Sequence, residues 1–257
     1  MRPTMSEGER IWTAALLVIG DEILSGRTQD KNIAQLALWL NIQGIRLGEV
    51  RVAADDASAI GAGVTALAAR YDYLFTTGGI GPTHDDITVD AIAAALDLPV
   101  VIHPEARTML ERHYADRGGV TEARLRMARV PQGAGLIANP RSGAPGIRIG
   151  NIFILAGVPH IAAMMLESLD GTLEGGRPIV SATIGCWIAE SEVADLLAAT
   201  ETAHDGCQIG SYPFFRDGRV GANFVVRSVD EARLAACAED LGGRLAVRGY
   251  EPVAGGI

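Results

Sequence analysis

Lysine is all but missing from these 257 residues: Lys31 is the only one, and arginine supplies the remaining basic side chains. We read that bias as compositional, without functional weight. Basic groups are outnumbered as well, 22 against 31 acidic ones, for a net charge of −9. That balance excludes a non-specific binder of nucleic acid or of an anionic membrane surface, since both reward a basic face. No apolar run reaches the roughly 18–20 residues of a membrane span. The short run AALLVIG near the N-terminus follows SEGER and precedes Asp21-Glu22, so it lacks the basic start and the cleavage site of a signal peptide. Cysteine is scarce: Cys186, Cys207 and Cys237 are odd in number and show no metal-ligand spacing. Buried free thiols in a reducing cytoplasm are expected.

What is present is apolar and alternating. Hydrophobic residues make up 48% of the chain, enough for one large domain, or for one medium and one small. After a polar tail over about the first 10 residues, WTAALLVIG reads as a buried strand. NIAQLALWLNIQG places Ile33, Leu36, Ala37 and Leu40 on one helix face. IRLGEVRVA then reads as a strand, ASAIGAGVTALAAR as a helix, YDYLFTTG as a strand, and Val89 to about Leu96 as a helix. Strands alternating with helices imply a largely parallel sheet covered on both faces. Helices near 104–117 and 121–129, a hairpin turning at Gly150-Asn151 and the run HIAAMMLESL, whose methionines fill core, complete a first domain over 11–170.

The glycine- and proline-containing stretch Asp170 to Pro178 marks a boundary with few expected packing contacts. Beyond it, over 178–250, IVSATIGCW reads as a strand, SEVADLLAATETA as a helix, and CQIGSYPFF with VGANFVVRS as a hairpin across Asp217-Gly218. Ser228 and Glu231 read as a capping box, and RLAVRGY as a closing strand. The order βαββαβ predicts a small ferredoxin-like domain.

One loop stands out: TTGGIGPTHDDIT, Thr76 to Thr88, between a buried strand and a helix. Ligands bind at that edge of open α/β sheets. Gly78, Gly79 and Gly81 let the backbone turn and approach a ligand, so a side chain at Gly79 is expected to intrude on the ligand or strain the turn, with the larger effect on the ligand. The helix that follows offers free N–H groups to a phosphate. Asp85 and Asp86 oppose a bare phosphate and make sense with a Mg²⁺-type cation between carboxylate and phosphate oxygens. Taken singly, Asp86 or Thr88 reads equally well as an N-cap; a cap, however, needs one such residue, not the whole constellation. His84, beside the pair, is within reach of a metal or phosphate, whereas the other histidines show no ligand spacing. Two further strand ends converge on the same edge. One is VIGDEILSGRTQDKN, with Asp21 and Glu22 at the strand end and Asp30 and Asn32 in capping positions. The other is LAGVPH, with Gly157 and Pro159.

Together GDEILSGRTQDKN, TTGGIGPTHDDIT, NPRSGAPG (139–146) and AGVP resemble the molybdopterin-binding domain of the competence/damage-inducible protein A family. The same domain type occurs in molybdenum-cofactor biosynthesis proteins and in eukaryotic FAD synthases. The resemblance covers about 11–170, and GSYPFFRDG with ANFVVRS resembles the small domain that follows in the family. It implies a three-layer α/β/α sandwich with a mostly parallel sheet, plus the small βαββαβ domain. It implies that Gly78, Gly79, Gly81, Pro82 and Thr83, with Gly157 and Pro159, hold ligand or phosphate. Asp85 and Asp86 take the catalytic role and, with Asp21 and Glu22, bind a divalent metal (Mg, Mn or Co). Two motifs depart from the pattern: Ser142 to Gly146 reads SGAPG for GTAPG, and 155–159 reads LAGVP for LPGVP. No amidohydrolase domain of the kind carried by long members is expected here.

The expected function is a cytoplasmic, metal-dependent nucleotide pyrophosphatase acting on ADP-ribose or a similar dinucleotide, as a homo-oligomer (dimer or trimer). Two alternatives stay open: molybdopterin binding with adenylyl transfer, and a non-catalytic pterin or nucleotide module. Fold alone does not separate them.

Overall fold

Six consecutive residues of the first strand, Ala14 to Ile19, are almost completely buried. Because side chains alternate across a strand, they feed two cores. Ala15, Leu17 and Ile19 pack on one face of the sheet, and Ala14, Leu16 and Val18 on the other. A computed structural model describes residues 10–139 and 143–257. The N-terminal polar tail up to residue 9 and Ser142 of the SGAPG motif lie outside them. The described chain divides into two compact units, Met1–Gly176 and Arg177–Ile257.

In the first unit, β1 (Trp12–Ile19) is followed by a single helical turn, α1 (Asp21–Leu24), then α2 (Asn32–Ile42), β2 (Ile45–Ala53), α3 (Ala57–Arg70) and β3 (Tyr73–Thr77). Next come α4 (Thr88–Ala95), β4 (Val100–Ile102), α5 (Pro104–Tyr114), α6 (Glu122–Leu125), β5 (Arg129–Pro131) and β6 (Gly135–Ile137). The unit ends with β7 (Gly146–Ile149), β8 (Ile152–Leu155) and α7 (Pro159–Glu167). The main sheet has the order β2-β1-β3-β8-β7-β6. Its first four strands are parallel, while β7 and β6 run antiparallel to their neighbours. Ile60, Val64 and Leu67 of α3 and Ile92 of α4 cover one face. Leu36 and Leu40 of α2 and Met165 and Leu166 of α7 cover the other. The result is the expected three-layer α/β/α sandwich with a mostly parallel sheet.

Local expectations are corrected at several points. The helix expected over 121–129 stops at Leu125 and tightens into a 3-10 turn, Arg126–Ala128. Pro131 then forces Val130 to be extended, and that strand pairs antiparallel with β4. The glycines at 175 and 176 do not loosen the boundary segment. Gly176 N–H donates to the Gly44 carbonyl at 3.0 Å, and the Tyr73 hydroxyl donates to the Glu174 carbonyl at 3.0 Å. Further corrections lie in the second unit.

There β9 (Val180–Cys186), α8 (Ala194–Ala203), β10 (Gln208–Arg216), β11 (Arg219–Ser228), α9 (Glu231–Val247) and β12 (Val253–Ala254) follow the βαββαβ order. The antiparallel sheet has the order β10-β11-β9-β12. The expected strand RLAVRGY is instead the last part of α9 and the turn after it, with strand pairing delayed to β12. Leu234, Cys237, Leu241 and Leu245 recur at helical spacing and all are buried, so the apolar face continues through the segment read as a strand. The α9 N-cap is Asp230, whose carboxylate accepts from Ala232 N and Arg233 N, not Ser228. All three cysteines are buried free thiols, and burial pushes Cys237 up to about 12, so it stays protonated.

Candidate functional site

The C-terminal ends of β2, β1, β3 and β8 lie side by side, and the chain leaving each one builds a wall of a single cavity of about 590 Å³. Backbone hydrogen bonds carry the sheet one residue past the strands, from Gly20 N to Ala53 O at 3.1 Å and from Gly78 N to Leu155 O at 3.2 Å.

After β3 the loop closes on the first residue of α4. The buried Thr88 hydroxyl donates to Gly78 O at 2.9 Å, and Thr88 N–H donates to Gly79 O at 3.1 Å. Further round the loop, Asp86 Oδ2 accepts from both the backbone N–H and the hydroxyl of Thr83. Neither Asp86 nor Thr88 is the helix cap: the N-cap position is Ile87, which offers no side-chain bond. From behind, Arg126 Nη2 donates to the Asp86 carbonyl at 3.2 Å, and Arg129 pairs with Asp90 on α4. The loop is therefore held from both ends, with Gly78, Gly79, Gly81 and Pro82 on the cavity wall.

Four carboxylates line the same cavity: Glu22, Asp55, Asp85 and Asp86. Among the described residues no lysine, arginine or histidine lines it. Asp85 remains ionised, because hydrogen bonding from the Thr83 side chain, and then from its own backbone, holds its carboxyl below the ordinary range. Thr83 stands between the two carboxylates, in closest contact with Asp86, and Asp85 is the more exposed of the pair.

The expected residues are distributed unevenly. Glu22 reaches the cavity. Asp21 does not line it: its backbone N–H donates to Asp55 Oδ2 at 3.0 Å, and its Oδ1 accepts from Asp55 N at 3.3 Å. Thr83 serves Asp86, and His84 is exposed and off the wall. Gly157 and Pro159 line the cavity at the β8 end. The N-cap position of α2 is Lys31, and Asp30 just before it accepts from Ile33 N at 2.7 Å. Asn32 has another task, donating from Nδ2 to Gly157 O at 2.8 Å and so tying α2 to the end of β8. Its Oδ1 is buried without a hydrogen-bond partner among the described residues. Asp55, Tyr114 and Met127 also line the cavity, and none was singled out from the sequence; Asn139, the first residue of NPRSGAPG, lines it as well. Asp55 carried a signal, since it lies two residues beyond a strand, at the edge where ligands bind.

Among the described residues, no three His, Cys, Asp or Glu side chains stand close enough to hold a metal ion together. A closed all-protein cage is therefore absent there. Mg²⁺-type ions are commonly held by one or two carboxylates plus substrate phosphates, and Asp85 and Asp86 fit that donor set. Among the described residues, no helix is long and apolar enough to cross a membrane.

Comparison with known proteins agrees with this architecture. The family described as "Probable molybdopterin binding domain" matches residues 15–174, and "FAD synthase, middle domain" matches 178–253. A CinA-like protein of Desulfosudis oleivorans is 33% identical over 209 residues, covering 77% of this chain and 51% of the relative. A protein of Aeropyrum pernix is 34% identical over 220 residues, covering 81% of each. The chain thus spans about half the length of that CinA-like relative. Among solved structures, the protein CinA of unknown function from Thermoplasma acidophilum is similar. It is 31% identical with a TM-score of 0.59, covering 63% of this chain and 98% of that one.

Proposed function

This chain belongs to the molybdopterin-binding-domain family, among its CinA-like members, and from that premise we propose that the cavity binds a phosphorylated nucleotide and, with a divalent cation, hydrolyses its pyrophosphate. The observation that carries the reading is electrostatic. Four carboxylates line the cavity with no basic side chain facing them among the described residues. A pyrophosphate entering alone meets like charge, and in a partly enclosed site that repulsion is poorly screened. A cation arriving with the substrate removes the conflict.

The chain's own residues then have distinct tasks. Gly78, Gly79 and Gly81, on the cavity wall, would present backbone to the phosphate. Asp86, fixed by Thr83, and Asp85, whose carboxyl is held below the ordinary range, would hold the cation. A carboxylate with a lowered pKa is a weak general base near neutral pH, which suits cation binding better than proton abstraction. When bound, the cation supplies charge neutralisation and lowers the pKa of a water. In the overall reaction the water oxygen bonds to one phosphorus as the bridging P–O bond breaks, giving two phosphomonoesters.

The test is a turnover panel of purified protein with Mg²⁺, Mn²⁺ or Co²⁺ against ADP-ribose, FAD, NAD and ATP. Conversion of ADP-ribose to AMP and ribose 5-phosphate, abolished by chelation, is the expected result. The description of the matched family favours a second reading, molybdopterin binding. Silence across the panel together with tight binding of a molybdopterin-type ligand would favour that reading, as a non-catalytic module, in place of the first.

A further inference from the structure

We propose that the α5 end of the cavity is a stacking subsite for a planar heterocycle, with Tyr114 as its shelf. The cavity has two chemically different ends. Glu22 and Asp55 stand where β1 and β2 end; Tyr114, Met127 and Ala144 lie toward the segment leading into β7. The sheet order β2-β1-β3-β8-β7 separates them, and neighbouring strands lie about 4.8 Å apart, so β2 to β8 alone spans about 14 Å. A phosphate or a sugar phosphate does not fill that length. A ring joined through phosphate to a polyhydroxyl group does.

Tyr114 is already ordered for stacking. The Arg124 guanidinium lies 4.0 Å from its ring centroid and covers one face. That guanidinium is itself fixed, donating from Nη1 to Arg117 O at 2.8 Å and to Gly119 O at 2.5 Å. His113 stands edge-on to the ring at 4.8 Å with an interplanar angle of 85°. With one face and one edge occupied by protein, the side chain has lost its freedom on folding, so a ligand ring does not have to order it. Tyr114 and Met127 both line the cavity and pack with Ala144 against the same small cluster, and the polarizable Met127 thioether suits contact with an aromatic ring. The ligand class is a purine- or pterin-type ring at Tyr114, phosphate at the glycine loop, and hydroxyl groups toward Asp55 and Glu22.

The inference rests in part on the phosphate reading above, so the probes separate the two. Titration calorimetry with Mg²⁺ compares wild type, Tyr114→Leu and Tyr114→Phe against three ligands: α,β-methylene ADP-ribose, ribose 5-phosphate, and a ring-only probe, adenosine or neopterin. In Tyr114→Leu the methylene analogue is expected to weaken by about tenfold or more, the scale of one lost ring stack. Ribose 5-phosphate should bind Tyr114→Leu as it binds wild type, and Tyr114→Phe should retain affinity for the ring-bearing ligands. Equal affinity of Tyr114→Leu and wild type for the methylene analogue overturns the subsite. Failure of every ring-bearing probe to bind wild type overturns it too. If the ring-only probe binds and depends on Tyr114 while neither phosphate ligand binds, the subsite stands and the phosphate reading falls. Should Tyr114→Leu not fold, Met127→Ala at the same end of the cavity carries the same comparison, with the same loss expected and the same equality overturning it.

Discussion

The hydroxyl of Thr88 donates to the carbonyl of Gly78 at 2.9 Å, and the bond is buried. It joins the first turn of α4 to the last residue before the loop swings out, so the glycine loop and the helix are one mechanical piece. The loop is set by this internal bond as much as by anything it binds.

A consequence follows for Gly79. Its φ is +66°, and a Cβ there would sit 2.1 Å from Thr88 Oγ1. The sequence led us to expect that a side chain at this position would press on the ligand; it meets the protein first. Gly79→Ala is therefore expected to lose about 2–4 kcal/mol of stability, from left-handed strain and a broken buried hydrogen bond. Urea unfolding should show a lower midpoint at an unchanged slope. An unchanged midpoint would mean that Thr88 moves aside freely.

Asp86→Asn separates charge from structure. An asparagine oxygen still accepts from Thr83, as Asp86 Oδ2 does now, so the melting temperature should change little. The charge facing the cation is lost, and metal-dependent turnover is expected to fall about 10–100-fold or more. A large fall in melting temperature without metal would instead make Asp86 a loop fastener.

Much of the architecture was legible in the sequence, because its signals are local. The bounds read for β2 and α3 match the structure, 45–53 and 57–70, since apolar period and turn residues both mark them. The walls of the cavity were less legible. Asn32 meets Gly157 across 125 residues of chain, and its position before a helix reads equally well as a cap. Asp55 reads as a turn residue until the order β2-β1-β3 brings it beside Glu22. Tyr114 ends an amphipathic helix whose buried residues, Ala106 and Leu110, are ordinary core, and only the packing of α5 against the rest of the cavity turns it into a wall. The misread end of α9 has a local cause: RLAV satisfies either period when taken alone, and only continuation from Leu234 decides for helix.

In the second unit, Arg248 clamps Asp195 with two bonds, Nη2 to Oδ2 at 2.6 Å and Nη1 to Oδ1 at 3.0 Å. The Arg248 hydrogen bonds hold the Asp195 carboxyl at about 2, below its ordinary 3.8. A depressed carboxyl stabilises the fold above its unfolded value and loses that contribution as pH falls through the folded value. The melting-temperature gap between wild type and Asp195→Asn should thus be constant from neutral pH down to about pH 4. It should close as pH falls toward about 2. The gap is expected to be small, because the pair is exposed, and to shrink in high salt. A gap that persists at the lowest pH would trace to the packing of the amide and not to the lost charge.

The last expectation concerns the boundary segment, where glycines suggest slack and the structure has close contact. A Cβ on Gly175 would lie 1.8 Å from the Gln43 carbonyl oxygen, a backbone atom with little room to retreat. Around it the segment is tied down. The Trp39 indole and the Gln43 amide both donate to Asp170 Oδ1, at 2.7 and 3.1 Å, and Gly176 N–H donates to Gly44 O. These glycines let two backbones approach, so replacing one should strain the first unit as a buried overpacking change does. Gly175→Ala is expected to lower stability by about 1–3 kcal/mol, although the residue lies in a segment without regular secondary structure. Hydrogen exchange should locate the effect: faster exchange at Gly44 and Gly176 amides, with the centre of β1 unaffected at low denaturant. A variant as stable as wild type, with those amides still protected, would show that the segment has the slack its composition suggests.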